Sequence, residues 1–179
     1  MRLCVLVVLT ACLAPAPASA QGPPYGPNDR IPAAQQKQLA AMLAVVRTAD
    51  RFEALPVKID GVGLSSTSRV VEQPVAVTPA TGRALGRVLT GYDWTSWSAS
   101  ACIFDPAVAF RFTRGSQSTV VKVCFMCGEM ALDGIDGRFS EKKGLSFAQR
   151  NAFLRAAKKA FPKQFDEFRE ENPDVKSKG

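Results

Sequence analysis

Residues 107–132 read AVAFRFTRGSQSTVVKVCFMCGEMAL, and their pattern decides the fold class. Val108, Phe110 and Phe112 fall on one side and Arg111 on the other, the period-two signature of a half-buried strand. Arg114-Gly115-Ser116-Gln117 has the composition of a turn. Thr119 to Leu132 then resumes as a second, longer strand. Two such strands joined by a short turn make an antiparallel hairpin.

Upstream of the hairpin the periods alternate between helix and strand. Asp29 can cap a helix that tolerates Pro32 in its first turn. Leu39, Met42, Leu43 and Val46 follow at helical spacing, which predicts a helix from about Ile31 to Arg51. Leu55 to Val62 and Arg69 to Val77 read as strands joined by a Gly/Ser-rich stretch. Pro74 marks the second as an edge strand or a bulge. Thr78-Pro79 opens another helix, with Leu85, Val88 and Leu89 inward and Gly91 as its stop. Arg83 and Arg87 lie four apart on its outward face. Gly82 and Gly86 form a GxxxG, a spacing that means little in a short helix outside a membrane. Tyr92 to Trp97 is a strand or loop, with its tryptophans in the core or along a groove.

Downstream, residues 133–137 (DGIDG) are a turn. Ser146-Phe147-Ala148-Gln149 is a capping box. It opens a helix that turns Phe147, Leu154, Ala157 and Phe161 inward, and Pro162 ends or kinks it. Gln164 to Glu171 extends it by two turns. The sum is an α+β fold: a small antiparallel sheet of about four to five strands with about three helices packed on it.

The chain has 179 residues, 46% hydrophobic and 22% charged, a composition of globular type. Residues 1–20 read as a secretory signal: Arg2, an apolar run from Leu3 to Ala14, and Ala18-Ser19-Ala20 as the cleavage site. Leu9-Thr10-Ala11-Cys12 also resembles a lipobox, which would anchor the chain as a lipoprotein through Cys12. Residues 21–30 are a Pro/Gly-rich linker, 31–172 a single domain, and 173–179 a disordered tail. The expected location is the periplasm or the medium, with no transmembrane span after processing.

There is no histidine in the chain, which excludes Ser-His-Asp, Cys-His and His-ligated metal chemistry. The net charge is +7, and the mature chain, without Arg2, keeps +6. Between Arg138 and Lys163 eight basic residues face one acid, Glu141. Arg150, Arg155, Lys158 and Lys159 are therefore candidates for a basic patch that meets an anionic envelope component or another envelope protein. The bland alternative is a solvated helix face. No aromatic residues interleave with these cations, so nucleic acid is not expected.

Three cysteines remain after cleavage: Cys102, Cys124 and Cys127. Outside the cytosol thiols that can pair tend to do so. Cys124-Phe125-Met126-Cys127 can be a redox dithiol, part of a metal site, or one half of a structural disulfide with Cys102. Within a regular strand, positions three apart face opposite ways unless a bulge near Gly128 turns the chain. That weighs against a dithiol. Three thiolates without histidine make a poor zinc set, even with Asp105 or Glu129 added. A hairpin turn centred near Gly115 sets residue 102 opposite about 128, nearer Cys127 than Cys124. Asp133 and Asp136 lack the spacing of a calcium loop. Glu129, Asp133 and Asp136 could pair as acid and base, but no spacing singles them out.

The run Cys102-Ile103-Phe104-Asp105-Pro106, then Phe110-Arg111-Phe112 and Val123-Cys124-Phe125-Met126-Cys127, with a helix ending at Phe161-Pro162, resembles a loose group of exported bacterial proteins of unknown function. The resemblance spans about Val70 to Pro162. It implies an exported α+β domain with the three cysteines as a set, and no activity. The expectation is a non-enzymatic binding or structural module with one disulfide, without catalytic residues, metal or cofactor. The alternatives are a thiol–disulfide or metal-binding protein using the three cysteines, and a peripheral binder of anionic polymers through the last helix.

Overall fold

The computed structural model describes residues 31–60, 67–94, 105–135 and 145–170. In chain order the elements are α1 (Ala33–Thr48), β1 (Arg51–Asp60), β2 (Thr67–Val70), β3 (Val75–Ala76), α2 (Pro79–Thr90), β4 (Val108–Arg114), β5 (Gln117–Cys124), β6 (Glu129–Leu132) and α3 (Phe147–Ala160). Three helices and one antiparallel sheet make this an α+β protein, as the alternating periods predict.

The sheet runs β2-β1-β4-β5-β6, and β3 pairs with β1. The β4–β5 hairpin sets Arg114 opposite Gln117 and Val108 opposite Val123, with Gly115 and Ser116 as the turn. β1 joins its other side, Phe52 opposite Phe112 and Ala54 opposite Phe110. Phe52, Ala54, Val108, Phe110, Phe112, Val121, Val123, Met130 and Leu132 therefore share one face, and all belong to the hydrophobic core. The helices cover that face. Phe110 packs 5.5 Å from Phe153 of α3, and the Thr119 hydroxyl donates to Met42 O of α1.

Local chemistry places the helix starts. The Thr78 side chain accepts from Thr81 N, with Pro79 in the first turn of α2. Both halves of the capping box are present at Ser146 and Gln149, so the first turn of α3 has its orphan N–H groups satisfied.

Several expectations need correction. The strand expected over 69–77 is two strands, because Val71 to Pro74 leaves the ladder; Pro74 has no N–H to give it. The strand expected from Leu55 starts earlier, at Arg51. The single strand expected over 119–132 is two, β5 and β6, separated by a turn over Phe125–Gly128. Gly128 has φ +65°, a left-handed conformation that closes the turn. Phe125 hid that turn from a hydropathy reading. It is apolar because it is buried, packed 5.8 Å from Phe165 and 5.8 Å from Phe168.

The C-terminal extension is not helix. Pro162 stops α3, and residues 162–167 form successive turns that carry the fully buried Phe165. Phe147 does not face inward but is 46% exposed, since the first turn of a helix lies beyond the sheet it packs on. Tyr92 and Trp94 follow α2 without forming a strand. Both are buried, with rings 5.0 Å apart, and the Trp94 indole N–H donates to Leu89 O. Trp94 is thus a core residue rather than a groove lining; Trp97 lies outside the described residues. The GxxxG of α2 has a role after all. Gly82 faces the Phe52 ring and Gly86 faces Val46 of α1, so the stripe is where α2 approaches its neighbours.

Candidate functional site

The cysteine motif lies at one end of the sheet. Cys124 closes the β5–β6 hairpin opposite Glu129, and both are 0% exposed. They point away from the helices, on the same side of the sheet as Leu55 and Ala109, which are also fully buried. Cys124 is a free thiol. Cys127 is half-buried in the turn. Met126 between them is 78% exposed. Cys102 lies outside the described residues.

The motif therefore spans a turn, not the interior of a strand, and its two cysteines differ in burial. An attacking thiol must be reachable and ionisable; Cys124 is fully buried. The α3 end seals the turn further: Leu145 N donates to Gly128 O, and a Cβ at position 128 would lie 3.0 Å from Arg150 Nη2. Among the described residues no three of Cys, Asp or Glu are grouped to hold a metal ion. Asp133 pairs with Lys122 at 2.8 Å in a turn, and Asp136 lies outside the described residues.

The charges sort by layer. Every cation in the strands has an acidic partner. Arg51 and Arg111 reach Glu53, Lys58 and Arg69 reach Asp60, Arg114 reaches Asp50, and Lys122 reaches Asp133. Arg111 also hydrogen-bonds Glu72, which holds that carboxyl below its usual range and Arg111 above its own. The cations of the sheet are thus charge-balanced.

The helices are not balanced. α1 carries Lys37 and Arg47, α2 carries Arg83 and Arg87, α3 carries Arg150, Arg155, Lys158 and Lys159, and none of the three holds an Asp or Glu. A carboxylate in a helix's first turn is worth about 0.3–1 kcal/mol through the macrodipole. All three helices forgo it. Cations in the last turns, such as Arg47 and Arg87, are favoured by the same dipole, so their positions alone say little. Arg83 in the middle of α2 and the missing acids have no such account.

Of the basic-patch candidates, the structure leaves two unpaired. Arg155 bonds Glu170 at 2.7 Å, and Arg150 is half-buried and engaged, its guanidinium 5.9 Å over the Phe147 ring. Lys158 and Lys159 make no ion pair among the described residues. Neither do Lys37, Arg47, Arg83 and Arg87, of which sequence reasoning paired only the last two, and none with the patch on the last helix. Arg47, Arg83 and Arg87 meet around a cleft of about 240 Å³ between α1 and α2. The signal that could have found them was the absence of acids from every helical segment. No helix among the described residues is long and apolar enough to cross a membrane.

No protein family, curated protein or solved structure matches this chain. The class is accordingly the one the fold defines: an α+β protein with three helices on one side of an antiparallel sheet, and helices that carry cations but no acid.

Proposed function

We propose that this is an exported, non-enzymatic binding module that docks on an anionic, phosphate-bearing lipid surface through its helical layer. The observation that carries the reading is the sorting of charge: strand cations all paired, helices without a single acid. It widens the basic patch expected on the last helix to a face built by α1, α2 and α3. The signal-like N-terminus and the resemblance to exported bacterial proteins support the location. Each cation near an anionic leaflet is worth about 1 kcal/mol, so six unpaired ones suffice for reversible docking.

Co-sedimentation with vesicles tests it. Vesicles rich in phosphatidylglycerol should retain the protein at low salt and release it at about 0.5 M salt, where charges a few ångströms apart are screened. Neutral phosphatidylcholine vesicles should not retain it. Charge reversal of Arg47, Lys158 and Lys159 together should abolish retention. Equal retention on both vesicle types, or no effect of the reversal, would sink the reading.

A disulfide between Cys102 and Cys127 is the second part of the proposal. Cys127 is half-buried in the turn while Cys124 is buried and free, and the observed register, 108 opposite 123, favours Cys127 over Cys124 as the partner of 102. Mass spectrometry after alkylation should find no rapid label on the native mature protein. One label should appear on denaturation and three after reduction. Ready labelling of Cys127 in the unreduced protein contradicts the pairing.

A further inference from the structure

The cleft between α1 and α2 has the makings of a specific site, not merely part of a charged face. Arg47 lies in the last turn of α1, and Arg83 and Arg87 stand one turn apart on α2, so three arginines line one concavity. Gly86 lies in its wall, packed against Val46 of α1. Other polar groups of the lining have their protons committed: the Thr48 hydroxyl donates to Ala44 O and the Thr90 hydroxyl to Gly86 O. Donors toward an incoming group are therefore the arginine forks. Asp50, two residues beyond α1, is bonded to Arg114 at 2.8 Å and does not neutralise them. The C-terminal ends of α1 and α2 bring roughly half a negative charge each. Against three full cations, a clear positive excess remains.

Guanidinium is the side chain that matches tetrahedral oxyanions, through paired N–H donors in one plane. We infer that the Arg47–Arg83–Arg87 cleft binds a single phosphate group, as a phosphomonoester or diphosphate. This deepens the surface-docking reading and rests on it for the source of the ligand. The phosphate belongs either to a lipid headgroup or to a free anion. In the first case the cleft gives a docked protein a fixed point on the surface.

Calorimetry with inorganic pyrophosphate on the full mature protein tests the cleft. One site per chain is expected at low salt. Arg83→Gln with Arg87→Gln should weaken it about tenfold per arginine lost, since each removes a charge-assisted contact. Arg83→Lys with Arg87→Lys keeps the charge but loses the forks, and should also weaken pyrophosphate binding. Both positions are exposed and both replacements suit a helix; circular dichroism checks that α2 is retained. The charge-matched control, Lys58→Gln with Arg69→Gln on the sheet, should leave binding unchanged. Absence of binding in the wild type, or equal weakening by the control, overturns the cleft. Competition by short-chain phosphatidic acid but not by inorganic phosphate assigns the lipid source; the reverse assigns the free anion. Vesicle retention without pyrophosphate binding removes the cleft alone. Pyrophosphate binding without vesicle retention removes the surface reading alone.

Discussion

Phe110→Ala should destabilise the protein by about 3–5 kcal/mol, the cost of deleting a fully buried ring from a packed core. Phe110 is 1% exposed at the middle of β4. It sits between Ala54 of β1 and Val121 of β5, and its ring packs 5.5 Å from Phe153 of α3. Alanine leaves a void where sheet and helix meet, and neither the strand ladder nor the capped helix can collapse freely into it. Domains are stable by about 5–15 kcal/mol, so a large share of the total is at stake. Urea unfolding should show a lower midpoint at an unchanged slope. Hydrogen exchange should rise in α3, whose Phe153 loses its ring contact with the sheet. A midpoint shift worth under about 1 kcal/mol would mean that the ring is not where the core is anchored.

Gly82→Ala and Gly86→Ala should differ in sign, although they are one helical turn apart. In an ordinary helix interior each would gain up to about 1 kcal/mol from alanine's propensity. At 82 a Cβ would overlap the inner atoms of the Phe52 ring, which is itself buried and cannot swing aside. Overpacking of that kind costs about 1–3 kcal/mol or more, so we expect a net loss near 2 kcal/mol. At 86 the nearest atoms are Val46 O at 3.5 Å and Val46 Cγ1 at 3.6 Å, ordinary contact distances. There the propensity gain should survive. Trimming Phe52 to leucine should relieve the Gly82→Ala variant more than it costs the wild type, a coupling that a double-mutant cycle reads directly. Equal effects at 82 and 86 would mean that α2 does not lie against β1 as described.

Much of this architecture was legible because its causes are local. The alternation at Val108, Phe110 and Phe112, the Arg114–Gln117 turn, and the caps at Thr78 and Ser146 each depend on residues within a few positions of one another. The elements that misread have distant causes. Residues 119–132 look like one apolar strand because Phe125 supplies a hydrophobic residue to a turn. Phe125 tolerates that position only because Phe165 and Phe168, some forty residues on, cover it. Phe161, Phe165 and Phe168 keep helical spacing, yet after Pro162 the chain runs in turns over 162–167 that hold Phe165 in the core. The candidate site divided in the same way. Helical segments devoid of acids are visible in the chain. Which cations are free is not, since Arg111 meets Glu72 across 39 positions and Arg114 meets Asp50 across 64.

The sequence by itself determined an α+β protein: three helices with two of their caps, a central hairpin, and an excess of positive charge around the last helix. Hydrophobic period, turn residues and capping act over a turn of helix or a pair of strand residues, so a linear reading reaches them. Only the tertiary structure decided that the Cys124–Cys127 motif spans a turn with one sulfur buried. It alone paired off every strand cation and drew Arg47 of α1 beside Arg83 and Arg87 of α2. Burial and ion pairing are settled by groups that meet only when the sheet closes and the helices dock. The layer that remains cationic is whatever that closure leaves without a partner.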